Sequence, residues 1–240
     1  MGIESKFIWM DGKLVPFEQA NVHVLPQIKM SSIPKGWKID RAFDWGSSRP
    51  FSVGWFAESN GEPMVVEGRR IGAVRGDVIL VEEWYGWNGS RNEGSRMLAS
   101  EVAQGIRDRE DDWGVRKRVR AGPADTSIWD VENGVSIVKD FTRKGISWGG
   151  ADKSAGSRKH GWELMRGMLR GAVPPREGPR ETPGFLLTRS CQQWLETVPS
   201  ITRSERDPDD VDTDAEDHAA DMTRYRLRGG KTQAVRVGKM

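Results

Sequence analysis

From residue 38 onward, apolar and polar positions alternate along the chain. Ala42 and Phe43 lead to Asp44, and Phe51, Val53, Trp55 and Ala57 alternate with smaller or polar residues. Period two marks a half-buried strand. The stretches 38–46 and 50–59 therefore read as two strands joined by the turn Ser47-Ser48-Arg49-Pro50. After the Asn60-Gly61 turn, 77–87 reads as a third. Residues 92–110 place Met97, Val102 and Ile106 near helical spacing. A fourth strand, with a basic edge, covers 115–125. A helix over 135–145 closes at Gly145, and 146–150 is a fifth strand. The segment 157–171 sets Trp162, Met165, Met168 and Leu169 on one side of a helix. Residues 172–184 are too rich in Pro and Gly for anything but a loop or hairpin tip. A strand at 185–189 and a short helix follow. Ahead of all this, 7–17 suits a hairpin around Asp11-Gly12, and 28–37 a linker. Three successive strands, then alternating helices and strands, predict an α/β fold with a mixed sheet covered by helices.

The closing helix carries the sharpest local signal. Thr213-Asp214-Ala215-Glu216 has the form of a capping box, which predicts a helix over about 214–227. On it Asp214, His218 and Asp221 share one stripe, with Asp217 beside them. The stripe is either a solvated face or a face turned partly inward. Interspersed alanines, with Met222 and Tyr225 one turn on, argue for close packing.

Composition narrows the picture. The 240 residues are 36% hydrophobic and 30% charged, polar for a globular chain, but eleven tryptophans argue against disorder. A net charge of +2 announces no global field. Locally, Lys and Arg crowd 116–120, 143–170 and 224–236, while carboxylates crowd 205–221. Cys191 stands alone, which excludes a disulfide framework. There is no apolar run long enough for a membrane span, no signal-peptide pattern and no internal repeat. A soluble, intracellular protein is expected.

Asp44 ends a strand that enters the core, and an unpaired buried carboxylate is costly. Asp125 follows the basic strand and Gly122-Pro123-Ala124. By itself it suits an Asx-turn or helix N-cap. Together with Asp44 and the His218/Asp221 helix, it makes three elements offering oxygen or imidazole ligands. Such a set suits Mg²⁺ or Mn²⁺. Lys153, Arg158 and Lys159 surround a small-residue turn at a helix start. They read as a polyanion contact or as a solvated basic end. Three other patterns fail: 207–218 lacks the calcium-loop Gly and Glu, Gly229-Gly230-Lys231-Thr232 lacks the upstream Gly of a phosphate loop, and the likeness of 8–17 to fold-type IV aminotransferases is not continued downstream. His23 and His160 have no ligand-spaced partner and read as structural.

The segments 33–59, 121–129, 151–161, 183–199 and 207–225, in that order, resemble the C-terminal nuclease domain of tailed-phage terminase large subunits. The resemblance implies a ribonuclease H/integrase-like mixed β-sheet flanked by helices. It implies a lead-in over 1–35, a nuclease domain over 36–228 and a basic tail over 229–240. It implies a metal-binding catalytic set of Asp44, Asp125, His218 and Asp221, with Asp217 as the alternative to His218. With two Mg²⁺ or Mn²⁺ ions, these would hydrolyse a phosphodiester of double-stranded viral DNA. Arg176 and Arg180, in the loop 172–184, would overhang the acids and join Lys153, Arg158 and Lys159 in holding DNA. Portal and small terminase subunit would be partners of the full-length protein, at the procapsid in the host cytoplasm, with no membrane involved. No Walker A loop is found, so an excised nuclease domain is expected. A RuvC-like junction resolvase and a non-catalytic DNA-binding or portal-docking module are the competing readings.

Overall fold

The computed structural model describes residues 7–10, 13–16, 24–132, 135–205, 207, 210–212 and 214–229. Strands β1 (Phe7–Met10) and β2 (Lys13–Pro16) pair antiparallel, as the pattern predicts. Their Asp11-Gly12 turn, His23, Thr213 and most of the basic tail lie outside the described residues. Then come β3 (Val24–Leu25), β4 (Lys38–Asp44), β5 (Ser52–Glu58), the hairpin β6 (Met64–Val66) and β7 (Arg69–Ile71), and β8 (Val78–Tyr85). Helix α1 (Ala99–Asp112) is followed by β9 (Val119–Arg120), β10 (Pro123–Ala124), a second hairpin of β11 (Val131–Glu132) and β12 (Val135–Ser136), and α2 (Ile137–Arg143). The chain continues through β13 (Gly149–Gly150), α3 (Ser157–Gly171), β14 (Phe185–Thr188), α4 (Gln192–Thr197) and α5 (His218–Arg228).

The main sheet runs β13-β10-β4-β5-β8-β14-β3, with β9 also on β4. Strands β4, β5 and β8 form an antiparallel meander. Strands β10 and β13 continue it in parallel beyond β4, and β14 and β3 in parallel beyond β8. Helices cover both faces. This is the mixed α/β sheet flanked by helices that the sequence predicts.

The period-two alternation of β4 assigns its residues to opposite faces. Ile39 and Phe43 join one core with Val102 and Ile106 of α1 and Phe141 of α2. On that face Arg41, also buried, donates to Glu110 at 2.9 Å, and Trp55 Nε1 donates to the same oxygen at 3.0 Å. Asp40, Ala42 and Asp44 face the other way. Ala42 joins the second core with Phe56, Leu80, Trp162 of α3, Trp194 of α4 and Met222 of α5. Ala42 and Gly54 pair in register, and α5 lies over this pair. A Cβ on Gly54 would come 2.5 Å from Met222 Sδ and 2.8 Å from Leu80 Cδ1. The missing side chain therefore sets how near the helix sits. At the far end of α5, Arg226 donates to buried Asp40 and to Glu58, the latter at 2.7 Å.

Some expectations change. The expected linker 28–37 buries Ile28, Met30, Ile33 and Trp37 in the first core, and β3 extends the sheet beside β14. Helix α1 begins at Ala99 rather than 92, where Glu101 accepts from the Leu98 N–H at 2.7 Å. The fourth strand is split at Gly122, where a Cβ would meet Arg41 O at 2.0 Å. Helix α5 starts at His218, with Asp217 as N-cap, so Asp214 lies outside the helix.

Gly54→Val is expected to cost about 1–3 kcal/mol by forcing α5 outward. Urea unfolding of the variant measures this, and an unchanged midpoint would show that α5 does not depend on the Ala42–Gly54 surface.

Candidate metal centre

Asp44 is the last residue of β4 and is 5% exposed. Its neighbour Phe43 accepts a hydrogen bond from the Asp125 N–H at 2.9 Å, so parallel pairing sets the two acids side by side at adjacent strand ends. Asp125 is also an N-cap: its Oδ1 accepts from Ser127 N at 2.7 Å, at the start of a 3₁₀ turn over Thr126–Trp129. The capping reading and the cluster reading are thus both true of this carboxylate. Helix α5, lying antiparallel to β4, brings in the rest. His218 Nδ1 is 3.0 Å from Asp44 Oδ2. The Tyr225 hydroxyl is 3.4 Å from Asp125 Oδ2 and 3.3 Å from Asp221 Oδ2, so one phenol touches both acids. The structure brings Asp44, Asp125, His218 and Asp221 together, and Asp217 stands at their border.

Each carboxylate is held by a cation of the chain itself. Lys153 Nζ bonds both oxygens of Asp125, at 2.8 and 2.9 Å. Arg224, one turn along α5, chelates Asp221 at 3.1 and 2.8 Å. Arg158 bridges Asp210 at 2.9 Å and Asp217 at 3.1 Å. His218 Nε2 is 3.1 Å from Asn92 Oδ1, so both ring nitrogens are engaged.

Electrostatics follow from this crowding. Burial lifts the Asp44 carboxyl to about 7; the His218 hydrogen bond opposes that, while the charges of Asp221 and Asp125 add to it. Burial and the charge of Asp221 lift Asp217 to about 6. Burial works against the His218 imidazolium, but the bond to Asp44 and the surrounding carboxylates raise its pKa overall. Burial also opposes ionisation of Asp125, yet the Lys153 bond and the Ser127 N–H hold it below the usual range. The Tyr225 phenol is pushed up by burial and by the acids, which keeps it a donor.

Three carboxylates and an imidazole form a hard, oxygen-rich donor set suited to Mg²⁺ or Mn²⁺. As placed, no three acidic, histidine or cysteine side chains among the described residues stand close enough to hold one ion. Lys153 and Arg224 occupy the carboxylate oxygens instead, so an ion entering here must displace them.

The other cations named from the sequence divide by position. Arg158 and Lys159 start α3 beside the acids, and Lys159 is 2.5 Å from Asp207. Arg180 does not reach this edge, and Arg176 belongs to the same loop. Phe185 of β14 pairs with Val78 of β8, whereas Asp44 lies level with Ser52 and Tyr85. The base of the loop 172–184 is therefore about 20 Å away along the strands. Arg180 is fixed there by fully buried Asp77, at 3.1 and 2.6 Å, and by Gly171 O. The expectation that this loop overhangs the acids is overturned. Asn92 and the roles of Tyr225 and Arg224 were not read from the sequence. The i+3 and i+4 spacing of Arg224 and Tyr225 from Asp221 carried a signal for those two. Nothing did for Asn92.

The large terminase of a thermophilic bacteriophage superposes with TM-score 0.59 and 16% identity, over 87% of this chain and 42% of that one. The ADP complex of the same terminase gives 0.60. The nuclease domain of the P22 large terminase superposes with TM-score 0.56 and 14% identity, over 89% of this chain and 90% of that domain. The chain has the fold of a tailed-phage terminase nuclease domain. At such identities the likeness is one of fold, and the chain spans less than half of the thermophilic-phage terminase. No protein-family model and no curated protein matches the sequence.

In this terminase nuclease fold, Lys153→Met should free both Asp125 oxygens. Mn²⁺ affinity is expected to rise about fivefold, the equivalent of roughly 1 kcal/mol for a half-exposed pair. Isothermal titration calorimetry reads it, and an unchanged constant would place Asp125 outside the ion's ligand set.

Proposed function

We propose that the chain is a divalent-metal-dependent endonuclease that cuts double-stranded DNA. The carrying observation is the meeting of Asp44, Asp125 and Asp221, from three elements far apart in sequence, at one edge of a ribonuclease H-like sheet. Asp44, Asp125, Asp221 and His218 would hold Mg²⁺ or Mn²⁺, two ions in the reading made from sequence. Bound there, the metal supplies an activated water and stabilises the leaving oxygen.

The chain's own groups have separable tasks. Tyr225 donates to the carboxylates and fixes the spacing of β10 against α5. Asn92 and Asp44 hold the His218 ring from opposite sides. Burial excludes water from Asp44. Lys153, Arg158 and Lys159 border the acids but are each paired with a carboxylate, so they would meet DNA only by giving up those partners; Arg180 is held at the other end of the sheet by Asp77. The terminase-like fold supports a role in viral genome packaging, with portal and small terminase as partners at the procapsid in the host cytoplasm.

Plasmid nicking with Mg²⁺, Mn²⁺ and EDTA tests the activity. Asp44→Asn and Asp125→Asn are each expected to lower the rate at least about a hundredfold, the scale of losing transition-state charge stabilisation. Thermal melts should show both variants folded. Wild-type nicking that survives in the Asp44→Asn variant would remove the acid from the site. Faster cutting of a four-way junction than of linear duplex would favour the resolvase reading.

A further inference from the structure

The irregular loop 86–98, which joins β8 to α1, stands at the same sheet edge as the acids. It is braced rather than loose. Gly86 N–H donates to Phe51 O at 2.8 Å, Ser95 N–H to Gly86 O at 2.8 Å, and Gly94 N–H to Ser48 O at 2.9 Å. Trp87 and Gly94 form a bridge across the loop. Gly94 is required at this crossing, since a Cβ there would lie 2.1 Å from Ser47 O. Two non-glycine residues, Asn92 and Arg96, are held at φ 57°. Such strain persists only where surrounding structure imposes it, and it gathers at functional sites.

The bracing ties the loop to the turn 45–50 and to the acid cluster. Arg49 Nη1 donates to Asn92 O at 3.2 Å, while the Asn92 side chain reaches His218. It also presents cations. Arg49, Arg91 and Arg96 are exposed, and Glu93 is the only acid in 45–50 and 86–98. The Arg91 side chain is 83% exposed, with one long 3.8 Å contact to Glu216. Arg96 pairs with no side chain among the described residues. On the other flank, Lys153, Arg158 and Lys159 are all paired with carboxylates. Among the described cations that flank the acids, Arg49, Arg91 and Arg96 on the β8 side are therefore the ones most open to an outside polyanion. The β8 strand lies two strands from β4, about 10 Å, which is about three nucleotide rises along one DNA strand.

We propose that Arg49, Arg91 and Arg96 form the seat for the DNA phosphate backbone, beside the acid cluster and distinct from the basic start of α3. This rests on the reading of the chain as a nuclease. Asn92 makes the seat continuous with the centre, so a backbone held by the loop is aligned over Asp44.

The test compares an Arg91→Ala/Arg96→Ala double variant with wild type and with Arg69→Ala/Arg70→Ala. The latter removes the same charge from the exposed β6–β7 hairpin at the other end of the sheet. Binding of a labelled duplex is followed by fluorescence anisotropy in EDTA across a salt series, and Mn²⁺ affinity by calorimetry. The rim variant is expected to bind DNA about tenfold more weakly, with a salt slope shallower by about 2. Its Mn²⁺ affinity and melting temperature should match wild type, and the hairpin control should bind DNA within about twofold of wild type. Wild-type DNA affinity and slope in the rim variant would overturn the seat, as would an equal loss in the hairpin control. Plasmid nicking separates the two ideas. A wild type that binds duplex through these arginines but does not cut would overturn the nuclease reading and leave the seat standing.

Discussion

Like charges brought to one sheet edge repel, and the position of α5 depends on how that repulsion is met. Asp44, Asp125 and Asp221 meet at this edge, and the charges of Asp221 and Asp125 add to the effect of burial in raising the Asp44 pKa. The fold answers with one partner for each acid: His218, Lys153 and Arg224. Two of these three partners ride on α5. The helix therefore brings partners for the acids to the edge along with Asp221. It docks there because Gly54 leaves room for Met222, and because Arg226 pairs with buried Asp40 at its other end. Removing one member of such a buried pair leaves an uncompensated charge, which typically costs about 3–5 kcal/mol. Neither tether belongs to the metal centre, yet both fix where His218 and Asp221 stand.

The same strand serves both faces. Arg41 of β4 meets Glu110 of α1 on one side, and Asp40 meets Arg226 of α5 on the other. A one-residue slip of β4 would turn Asp40, Ala42 and Asp44 toward α1 and place Arg41 under α5. Every one of these charges would then lose its partner, which makes the register costly to change.

Local pattern made β4, β5, β8 and α3 legible in the sequence: β5 alternates, α3 keeps a helical stripe, and β8 opens on the apolar run Val78–Val81. The strand-end position of Asp44 followed from β4, and that of Asp125 from the strand expected over 115–125. What stayed hidden is non-local. The burial of 28–37 depends on a core built from later strands, and its apolar residues follow no single period. Helix α5 lost its expected first turn where Asp217 faces Arg158 and Glu216 accepts from the Tyr85 hydroxyl instead of continuing the helix. Asn92 sits in a loop with no periodicity at all. The loop 172–184 was misplaced for a topological reason: a parallel connection from α3 to β14 must return to the starting end of the sheet, which is the end away from Asp44.

Composition alone also hid the surface. A net charge of +2 describes a chain whose acidic and basic blocks are nearly balanced, but the blocks are not distributed at random in space. Asp207, Asp210 and Asp217 fold back on the start of α3, where they face Lys159 and Arg158. Those arginine and lysine charges are neutralised internally and contribute little field at a distance. The loop 86–98 has only Glu93 and one long contact from Arg91 to Glu216 as acidic cover, so its two arginines set the local potential. Pairing in the fold, rather than the density of Lys and Arg along the sequence, decides which basic residues remain available to a polyanion. By that criterion the β8 flank of the acid cluster is the electrostatically open one.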